Sequence, residues 1–335
     1  MIQPGPRNLI TDVDGIAVGN AEDVGARSGT TVVLPNEPAV AGVDVRGGGP
    51  GTRETNLMDP SCSVDVVDAV VLSGGSAFGL DAASGASDWL RAQGRGFPVG
   101  PVRVPIVPAA ILFDLLNGGD IGWQTPPYRE LGRAACEAAG VDFALGNAGA
   151  GLGATAADLK GGLGSVSAVT EDGLQVGAIV AANPAGSAVI PGSSSFWAWP
   201  FERDGELGGQ QPPAAAELSA EHDFVSALGA NTTIGVVATN ARLDKAQAGR
   251  LAIMAQDGLA RAIRPVHTPF DGDSIFVLAT GSIDLPQPAA LGLARIGGLA
   301  ADCVARAIAR GVYLADALGD IESYRTRYAG ASAGA

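Results

Sequence analysis

The order of the strand-like and helix-like segments constrains this chain most. Strand patterns cover residues 8–19, 30–34, 41–45, 66–72, 174–182, 232–239 and 275–278, and helical patterns cover residues 81–93, 127–139, 244–263 and 289–314. Strands precede the helices in each part of the chain, and strict alternation of strand and helix is rare. This order favours an α+β fold of packed layers over a doubly wound parallel sheet.

Three local patterns carry further structural predictions. Asp244, with Gln247 three residues later, is the start signal of a helix that Pro265 ends. Residues 102–112 are broken by Pro105 and Pro108, which is typical of an edge strand or extended segment. Residues 201–221 are polar and rich in glycine and proline, and we expect them to be mobile. The tail past Tyr324 is expected to be frayed.

The composition supports one large core. Of the 335 residues, 47% are hydrophobic and only 17% are charged, so a single sandwich-like domain spanning residues 1–335 can bury a large apolar surface. The formal net charge of -14 argues against nucleic acid or an anionic membrane as a partner. No apolar run reaches the roughly 18 residues of a membrane span, and the N-terminus lacks the apolar segment of a signal peptide. We therefore expect a cytoplasmic protein.

Cysteine and glycine spacings predict neither a metal nor a cofactor. Cys62, Cys136 and Cys303 lie far apart, without the paired spacing of zinc or redox motifs, and we expect free buried thiols. The glycines at 74–79 follow a strand and precede a helix, but their spacing is not that of a dinucleotide-binding turn. Helix packing and a helix N-terminus that holds a negative oxygen are the better uses for Gly74 and Gly75.

A nucleophile can be made where a strand begins at Thr232. The polar connection Gly229-Ala230-Asn231 comes directly before it, so its hydroxyl lies at a strand end. A threonine hydroxyl needs a base, and cutting the Asn231–Thr232 bond would supply an α-amine with a pKa of roughly 7.7 to 8.0. An ordinary strand start has the same pattern. Asn231-Thr232-Thr233 is also a glycosylation sequon, which would require a secreted glycoprotein.

Two carboxylates belong to the same region. Asp271-Gly272-Asp273 makes a tight turn before the apolar strand at 275–278, which places both carboxylates at the mouth of a strand. There they can hold an ammonium or orient a hydroxyl, although a solvated turn has the same composition. Residues 146–162 read as a flexible glycine-rich loop, on which Lys160 would ordinarily be solvated.

Three segments resemble a known family. Asn231 to Asn240, the helix at 251–263 and His267-Thr-Pro-Phe-Asp-Gly-Asp273 are similar to L-aminopeptidase/D-esterases, β-aminopeptidyl peptidases and nylon-oligomer endo-hydrolases. The resemblance implies an N-terminal-nucleophile-type hydrolase on a four-layer α/β/β/α sandwich. It also implies self-cleavage into a large subunit, 1–231, and a small subunit, 232–335, and a homotetramer of processed heterodimers that needs no metal or cofactor.

The resemblance also assigns site residues. Asp271 and Asp273 match positions that bind the substrate amine and orient the nucleophile, and Lys160 and Asn183 match positions beside the nucleophile in the nylon-hydrolase branch. Asn183, before a proline, becomes an oxyanion-binding candidate, because an amide N–H stabilises a developing negative oxygen. The aminopeptidase branch has Ser and Glu at 271 and 273 and often Ser at 232. Relatives place Tyr at Phe113, and Phe lacks that hydroxyl donor.

Several functions remain open from the sequence. The first is a self-cleaving aminopeptidase or amidohydrolase that acts on small peptides or amides through an acyl-enzyme on Thr232. The second is an endo-acting hydrolase of linear amide oligomers of the nylon type. The third is acyl transfer of the ornithine-acetyltransferase kind, in which cleavage also precedes a threonine. The match around Thr232 and at 267–273 favours hydrolysis over transfer.

Overall fold

The computed structural model describes residues 2–211, 231–285 and 287–328. Its strands in chain order are Ile2–Gln3 (β1), Ile16–Asp23 (β2), Ser28–Pro35 (β3), Ala39–Val45 (β4), Thr52–Arg53 (β5), Val66–Val67 (β6), Val70–Ser73 (β7), Phe97–Val99 (β8), Val102–Val104 (β9), Ala109–Ile111 (β10), Thr155–Ala156 (β11), Leu159–Lys160 (β12), Gly162–Thr170 (β13), Gln175–Asn183 (β14), Thr232–Arg242 (β15) and Ser274–Asp284 (β16). The α-helices are Ala82–Ala92 (α1), Tyr128–Glu137 (α2), Lys245–Ala255 (α3), Asp257–Ala262 (α4), Ala289–Leu314 (α5) and Tyr324–Arg327 (α6).

Two large sheets carry the fold. The first has seven strands in the order β1-β13-β14-β15-β16-β4-β6, and the second has five in the order β2-β3-β7-β10-β5. The strand pairs are antiparallel except β15 with β16 and β7 with β10, which are parallel. The pairs β8–β9 and β11–β12 form small separate ribbons. The centre of the seven-stranded sheet is therefore β15, with β14 on one side and β16 on the other.

Three apolar clusters separate four layers. One lies between the seven-stranded sheet and helices α3, α4 and α5, a second lies between the two sheets, and a third lies between the five-stranded sheet and helices α1 and α2. Strand β15 contributes to two of them: Ile234, Val236 and Ala238 pack between the sheets, while Val237 packs against the helices. Alternate residues of a strand face opposite sides, so the predicted α/β/β/α sandwich is confirmed.

The helix signals are also confirmed. The Asp244 side chain accepts a hydrogen bond from the Gln247 backbone N–H at 2.8 Å, and Gln247 Oε1 accepts one from the Asp244 N–H at 3.0 Å. Together they cap the start of α3. Helices α3 and α4 end before Pro265, and α5 has the predicted bounds. None of the helices within the described residues is long and apolar enough to cross a membrane.

Three strand predictions were wrong. The strand predicted over residues 8–19 begins only at Ile16 (β2), and Ile10–Asp12 form a 3-10 helix before it. The apolar run 66–72 is two strands: β6 pairs with β4 in the seven-stranded sheet, and β7 lies in the five-stranded sheet. A continuous apolar run indicates burial but not which sheet buries it. Residues 102–112 also divide, and β10 lies between β7 and β5 rather than at an edge. Pro105 and Pro108 fall between β9 and β10, where neither removes a donor from a strand.

Two segments expected to be loose are ordered where the structure describes them. The Glu202 carboxylate accepts backbone N–H bonds from Leu207, Gly209 and Gln210 and holds a compact turn, while residues 212–221 lie outside the described residues. Past Tyr324 the chain forms α6, capped by Ser323. The cysteines are unpaired as predicted, with Cys136 and Cys303 buried and Cys62 half-buried.

Candidate active site

Thr232 is the first residue of β15 and lies buried where three strands meet. It pairs with Asn183, the last residue of β14, and the Asp271–Asp273 turn leads into the parallel neighbour β16. Its hydroxyl contacts the carbonyl oxygen of Asn231. The Gly272 backbone N–H donates to Thr232 Oγ1 at 3.1 Å. The hydroxyl oxygen thus lies beside the preceding peptide carbonyl and accepts a backbone donor that would stabilise negative charge on it.

The side-chain amide of Asn183 is held at both ends. Its Oδ1 accepts bonds from the Thr155 backbone N–H at 2.8 Å and the Thr155 hydroxyl at 3.3 Å. Its Nδ2 donates to the Phe113 carbonyl at 3.1 Å. These bonds fix the orientation of the Asn183 amide. Asn183 is also the residue of β14 that pairs with Thr232. The structure therefore places this predicted residue beside Thr232, the predicted nucleophile.

The two turn carboxylates are buried and bind different segments. Asp271 accepts bonds from the Ala185 N–H at 3.1 Å and from the Thr268 N–H and hydroxyl at 2.8 and 2.6 Å. Asp273 accepts a 2.7 Å bond from the Thr233 N–H, which ties the turn to the start of β15. Burial raises the pKa of Asp273, and its bond to His267 opposes that shift. Among the described contacts, neither carboxylate binds the Thr232 hydroxyl, and both accept backbone N–H groups close to it.

Lys160 is fully buried, and the expectation of a solvated lysine on a flexible loop was wrong. Its Nζ donates to the carbonyls of Gly151 and Gly161, both at 2.9 Å. Burial lowers its pKa to about 7, and the nearby Asp114 carboxylate partly opposes the shift. Lys160 pairs with Thr155, which binds Asn183. The lysine thus lies behind the Asn183 amide, with Thr155 between them.

Replacing Lys160 with methionine is expected to change how stability depends on pH. The unfolded amine has a pKa near 10.4, whereas the folded one is about 7, so between pH 7 and 9 the unfolded chain binds a proton that the folded chain releases. The free energy of unfolding should therefore rise with pH in this window when Lys160 is present. The rise between pH 7 and pH 9 should be about 2 kcal/mol larger with Lys160 than with Lys160→Met. Denaturant unfolding at pH 7 and 9, in an uncut Thr232→Ala background, measures the difference. Equal pH slopes for the two proteins would contradict it.

Two residues and one glycine-rich loop support the site in addition to the residues predicted for it. Asp114 is buried, its pKa is raised by burial to about 6, and it accepts a 2.7 Å bond from the Gly75 N–H. The glycine turn before the 3-10 helix at Ser76–Asp81 thus holds a negative oxygen, as predicted.

The glycine-rich loop after β4 packs against the Asp271–Asp273 turn. The N–H groups of Arg46 and Gly49 donate to the carbonyls of Asp273 and Asp271 at 2.9 and 2.8 Å. Only the glycine-rich composition indicated these contacts.

His267 is the second supporting residue. Both its backbone N–H and its Nδ1 contact Asp273 Oδ2, at 3.2 and 2.8 Å. Its φ is 54°, in the left-handed region that residues other than glycine rarely occupy. Together with the Thr233 bond, these contacts engage both oxygens of Asp273. The strained backbone places the imidazole against the carboxylate, and no sequence pattern indicated this geometry.

Removing the His267 side chain is expected to destabilise the protein even where the strain is relieved. Losing a hydrogen bond to a charged group costs about 1.5–3 kcal/mol. His267→Gly also relieves the left-handed backbone, worth about 1–2 kcal/mol, whereas His267→Ala does not. Both variants should unfold more easily than the uncut Thr232→Ala parent, alanine more than glycine, in denaturant titrations. A glycine variant more stable than its parent would show that the histidine contact does not offset the strain.

A cavity of about 640 Å³ opens beside Asn231. Its lining includes Phe113, Asp114, Thr155, Leu159 and Ile190. Phe113 contributes an apolar ring here and no hydroxyl donor. Within the described residues, no group of three or more His, Cys, Asp or Glu is placed to hold a metal ion. The chemistry available at the site is that of a buried hydroxyl, backbone donors and a fixed amide.

Known proteins resemble this chain along most of its length. The model of peptidase family S58 matches residues 8–325. The chain belongs to peptidase family S58. It is 46% identical to an uncharacterized aminopeptidase of Mycobacterium tuberculosis, over 97% of this chain and 99% of that protein. It is 30% identical to a 6-aminohexanoate-oligomer endohydrolase of Paenarthrobacter ureafaciens, over 84% of this chain and 78% of that protein.

Solved structures of S58-like enzymes share the fold. A Burkholderia β-aminopeptidase superposes with a TM-score of 0.68 at 25% identity, covering 97% of this chain and 90% of its own. An L-aminopeptidase D-Ala-esterase/amidase of Ochrobactrum anthropi, described as a variant of the Ntn hydrolase fold, gives a TM-score of 0.69 at 21% identity, covering 97% and 95%. The family resemblance and the N-terminal-nucleophile-type fold are both confirmed, and the chain is a hydrolase of the peptidase class.

Proposed function

We propose that this S58 peptidase is an aminopeptidase that cuts its own chain between Asn231 and Thr232 and then uses Thr232 as its N-terminal nucleophile. The contact that carries the proposal is that of the Thr232 hydroxyl with the Asn231 carbonyl oxygen. A hydroxyl beside that oxygen is also beside the carbonyl carbon it would attack. The 3.1 Å bond from Gly272 N–H to the same hydroxyl supports the proposal, because it favours the oxygen as it loses its proton.

Self-cleavage would proceed by an acyl shift. Thr232 Oγ1 attacks the Asn231 carbonyl carbon, the C–N bond breaks, and the proton from the hydroxyl passes to the released amine. The resulting ester between Asn231 and Thr232 is hydrolysed by water, which leaves a carboxylate on Asn231 and a free α-amine on Thr232. The products are a large subunit, 1–231, and a small subunit, 232–335.

Peptide hydrolysis would repeat this chemistry on a substrate. The new α-amine takes the proton from Thr232 Oγ1 as the oxygen attacks the substrate carbonyl, and it returns the proton to the leaving amine. Water then releases the acyl group from Thr232. Asn183, held by Thr155 and Phe113, is positioned beside the nucleophile to donate to the developing oxyanion. Asp271 and Asp273 hold the backbone around it.

An endo-acting hydrolase of linear amide oligomers is the second candidate. Its supporting observation is the cavity beside Asn231, which at about 640 Å³ lies in the middle of the range for small-molecule sites. The relative from Paenarthrobacter ureafaciens acts on 6-aminohexanoate oligomers. Comparing release of single N-terminal residues with cleavage inside amine-blocked oligomers separates the two candidates.

Intact-mass spectrometry of the purified protein tests the proposal directly. Dividing the 33.4 kDa chain in proportion to 231 of its 335 residues predicts pieces of about 23 and 10 kDa. N-terminal sequencing of the smaller piece should read Thr-Thr-Ile-Gly. A chain that stays whole after prolonged incubation over a range of pH, or a cut at another bond, would overturn the proposal.

A further inference from the structure

The position of Asn231 identifies one side of the cavity. In self-cleavage the Asn231 carbonyl is the first acyl donor to Thr232, so Asn231 occupies the place that the acyl residue of a substrate takes later. Asn231 itself lines the cavity of about 640 Å³. The space beside it is therefore the acyl-side subsite, which receives the residue whose carbonyl is attacked. This assignment rests on the proposed self-cleavage.

The wall of this cavity combines apolar and polar residues, and slightly more of its surface is apolar than polar. Its apolar residues come from four separate segments and include Phe113, Leu116, Leu159, Val189, Ile190 and Tyr328. Of its charged residues, Arg327 and Asp158 pair with each other at 2.6 Å. Asp114 Oδ1 accepts the Gly75 N–H, whereas its buried Oδ2 has no hydrogen-bond partner within the described residues. The apolar residues of the wall stabilise an uncharged, apolar side chain, and the Asp114 carboxylate disfavours an acidic one.

Leu116 is the most unusual residue of this wall. Its exposed fraction is 81%, the largest among the exposed large hydrophobic residues that the structure describes. The next residue, Asn117, is hydrogen-bonded to Arg27 in two places. Asn117 Nδ2 donates to the Arg27 carbonyl at 2.8 Å, and the Asn117 carbonyl accepts a bond from the Arg27 guanidinium at 2.8 Å. An anchored segment thus keeps a leucine in solvent at the rim of the cavity, where an apolar ligand can cover it.

We infer that the cavity selects substrates whose acyl-side residue carries an apolar side chain of leucine size or larger, and that Leu116 forms the outer wall of this subsite. One methylene in an apolar subsite changes kcat/KM by about 10- to 200-fold. Leucyl and phenylalanyl substrates should therefore exceed alanyl and glycyl ones by at least about tenfold. Aspartyl substrates should be poor.

The experiment compares glycyl, alanyl, leucyl, phenylalanyl and aspartyl p-nitroanilides with wild type, Leu116→Glu and Leu291→Glu. Leu291 is the matched control, a leucine 68% exposed on α5 that is not part of the cavity wall. Leu116→Glu should lower kcat/KM for the leucyl and phenylalanyl substrates about tenfold, chiefly through KM, and leave the alanyl substrate nearly unchanged. Leu291→Glu should match wild type throughout.

Intact mass of each preparation distinguishes the two possible failures. Leu291→Glu should self-cleave like wild type, because Leu291 lies outside the cavity wall. A wild type that stays whole overturns the proposed function itself. A processed wild type that hydrolyses the series without an apolar preference overturns the subsite assignment alone, whereas one that hydrolyses none of the series also contradicts the proposed aminopeptidase activity. Equal losses for alanyl and leucyl substrates in Leu116→Glu would also overturn it.

Discussion

Thr232→Ala is expected to leave the chain whole and to abolish peptidase activity. The variant removes the oxygen that contacts the Asn231 carbonyl and that accepts the Gly272 N–H, so neither the acyl shift nor acyl-enzyme formation has a nucleophile. Losing a covalent nucleophile lowers kcat by about 10⁶-fold in a serine peptidase whose catalytic residues have been removed singly. Intact mass should give one species near 33.4 kDa, and hydrolysis of peptide p-nitroanilides should fall to background.

Two further variants make this result specific. Thr232→Ser keeps a hydroxyl in the same place and should still divide the chain. Thr233→Val is the neighbouring control: Thr233 is buried in the same strand, and its hydroxyl makes no hydrogen bond within the described residues. Valine has nearly the same shape, so this variant should cut at the wild-type rate. Cleavage that persists in Thr232→Ala, or is lost equally in Thr233→Val, would contradict the assignment of the nucleophile.

The sequence predicted the elements around the nucleophile because their signals are local. The run 232–239 alternates over two buried faces, Asp271-Gly272-Asp273 is a turn between a helix stop and an apolar strand, and Asp244 with Gln247 caps a helix. The prediction of the α/β/β/α layers and the prediction that Asn183 belongs to the site both came from the family resemblance. Those layers follow from pairing between segments far apart in the chain, which local periodicity does not record.

The parts that could not be predicted depend on tertiary context. The run 66–72 crosses from one sheet to the other, and its apolar composition is the same on both sides of the crossing. Lys160 follows glycine-rich sequence typical of a surface loop, yet the loop packs inward and its carbonyls bind the ammonium. The contact between His267 and Asp273 depends on a backbone angle, and sequence spacing does not report that angle.

Gly272→Ala is expected to slow self-cleavage by about 100-fold while the fold persists. A Cβ at residue 272 would lie 2.7 Å from Thr232 Oγ1 and 2.9 Å from the Gly49 carbonyl oxygen, both closer than real Cβ contacts allow. Relief requires the threonine side chain or the turn to move, which separates the Gly272 N–H from the hydroxyl it binds at 3.1 Å. Misplacing reacting groups by about 1 Å costs about 100-fold in rate. Pulse-labelled protein followed by mass over time measures the rate.

Gly249→Ala separates this local effect from a general effect of adding a methyl group. Gly249 lies inside α3, and a Cβ there would meet nothing within 4 Å. Alanine inside a helix is favoured over glycine by about 0.5–1 kcal/mol. This variant should therefore unfold at a slightly higher denaturant concentration than wild type and cut itself at the same rate. If Gly272→Ala cuts as fast as Gly249→Ala, the Gly272 N–H does not hold the reacting hydroxyl. Gly272→Ala could instead unfold during expression. In that case the double variant Thr232→Ala/Gly272→Ala, which cannot cut itself, should unfold as well. This result would assign the loss of the fold to the contact of the new methyl group with the Gly49 carbonyl rather than to its contact with Thr232.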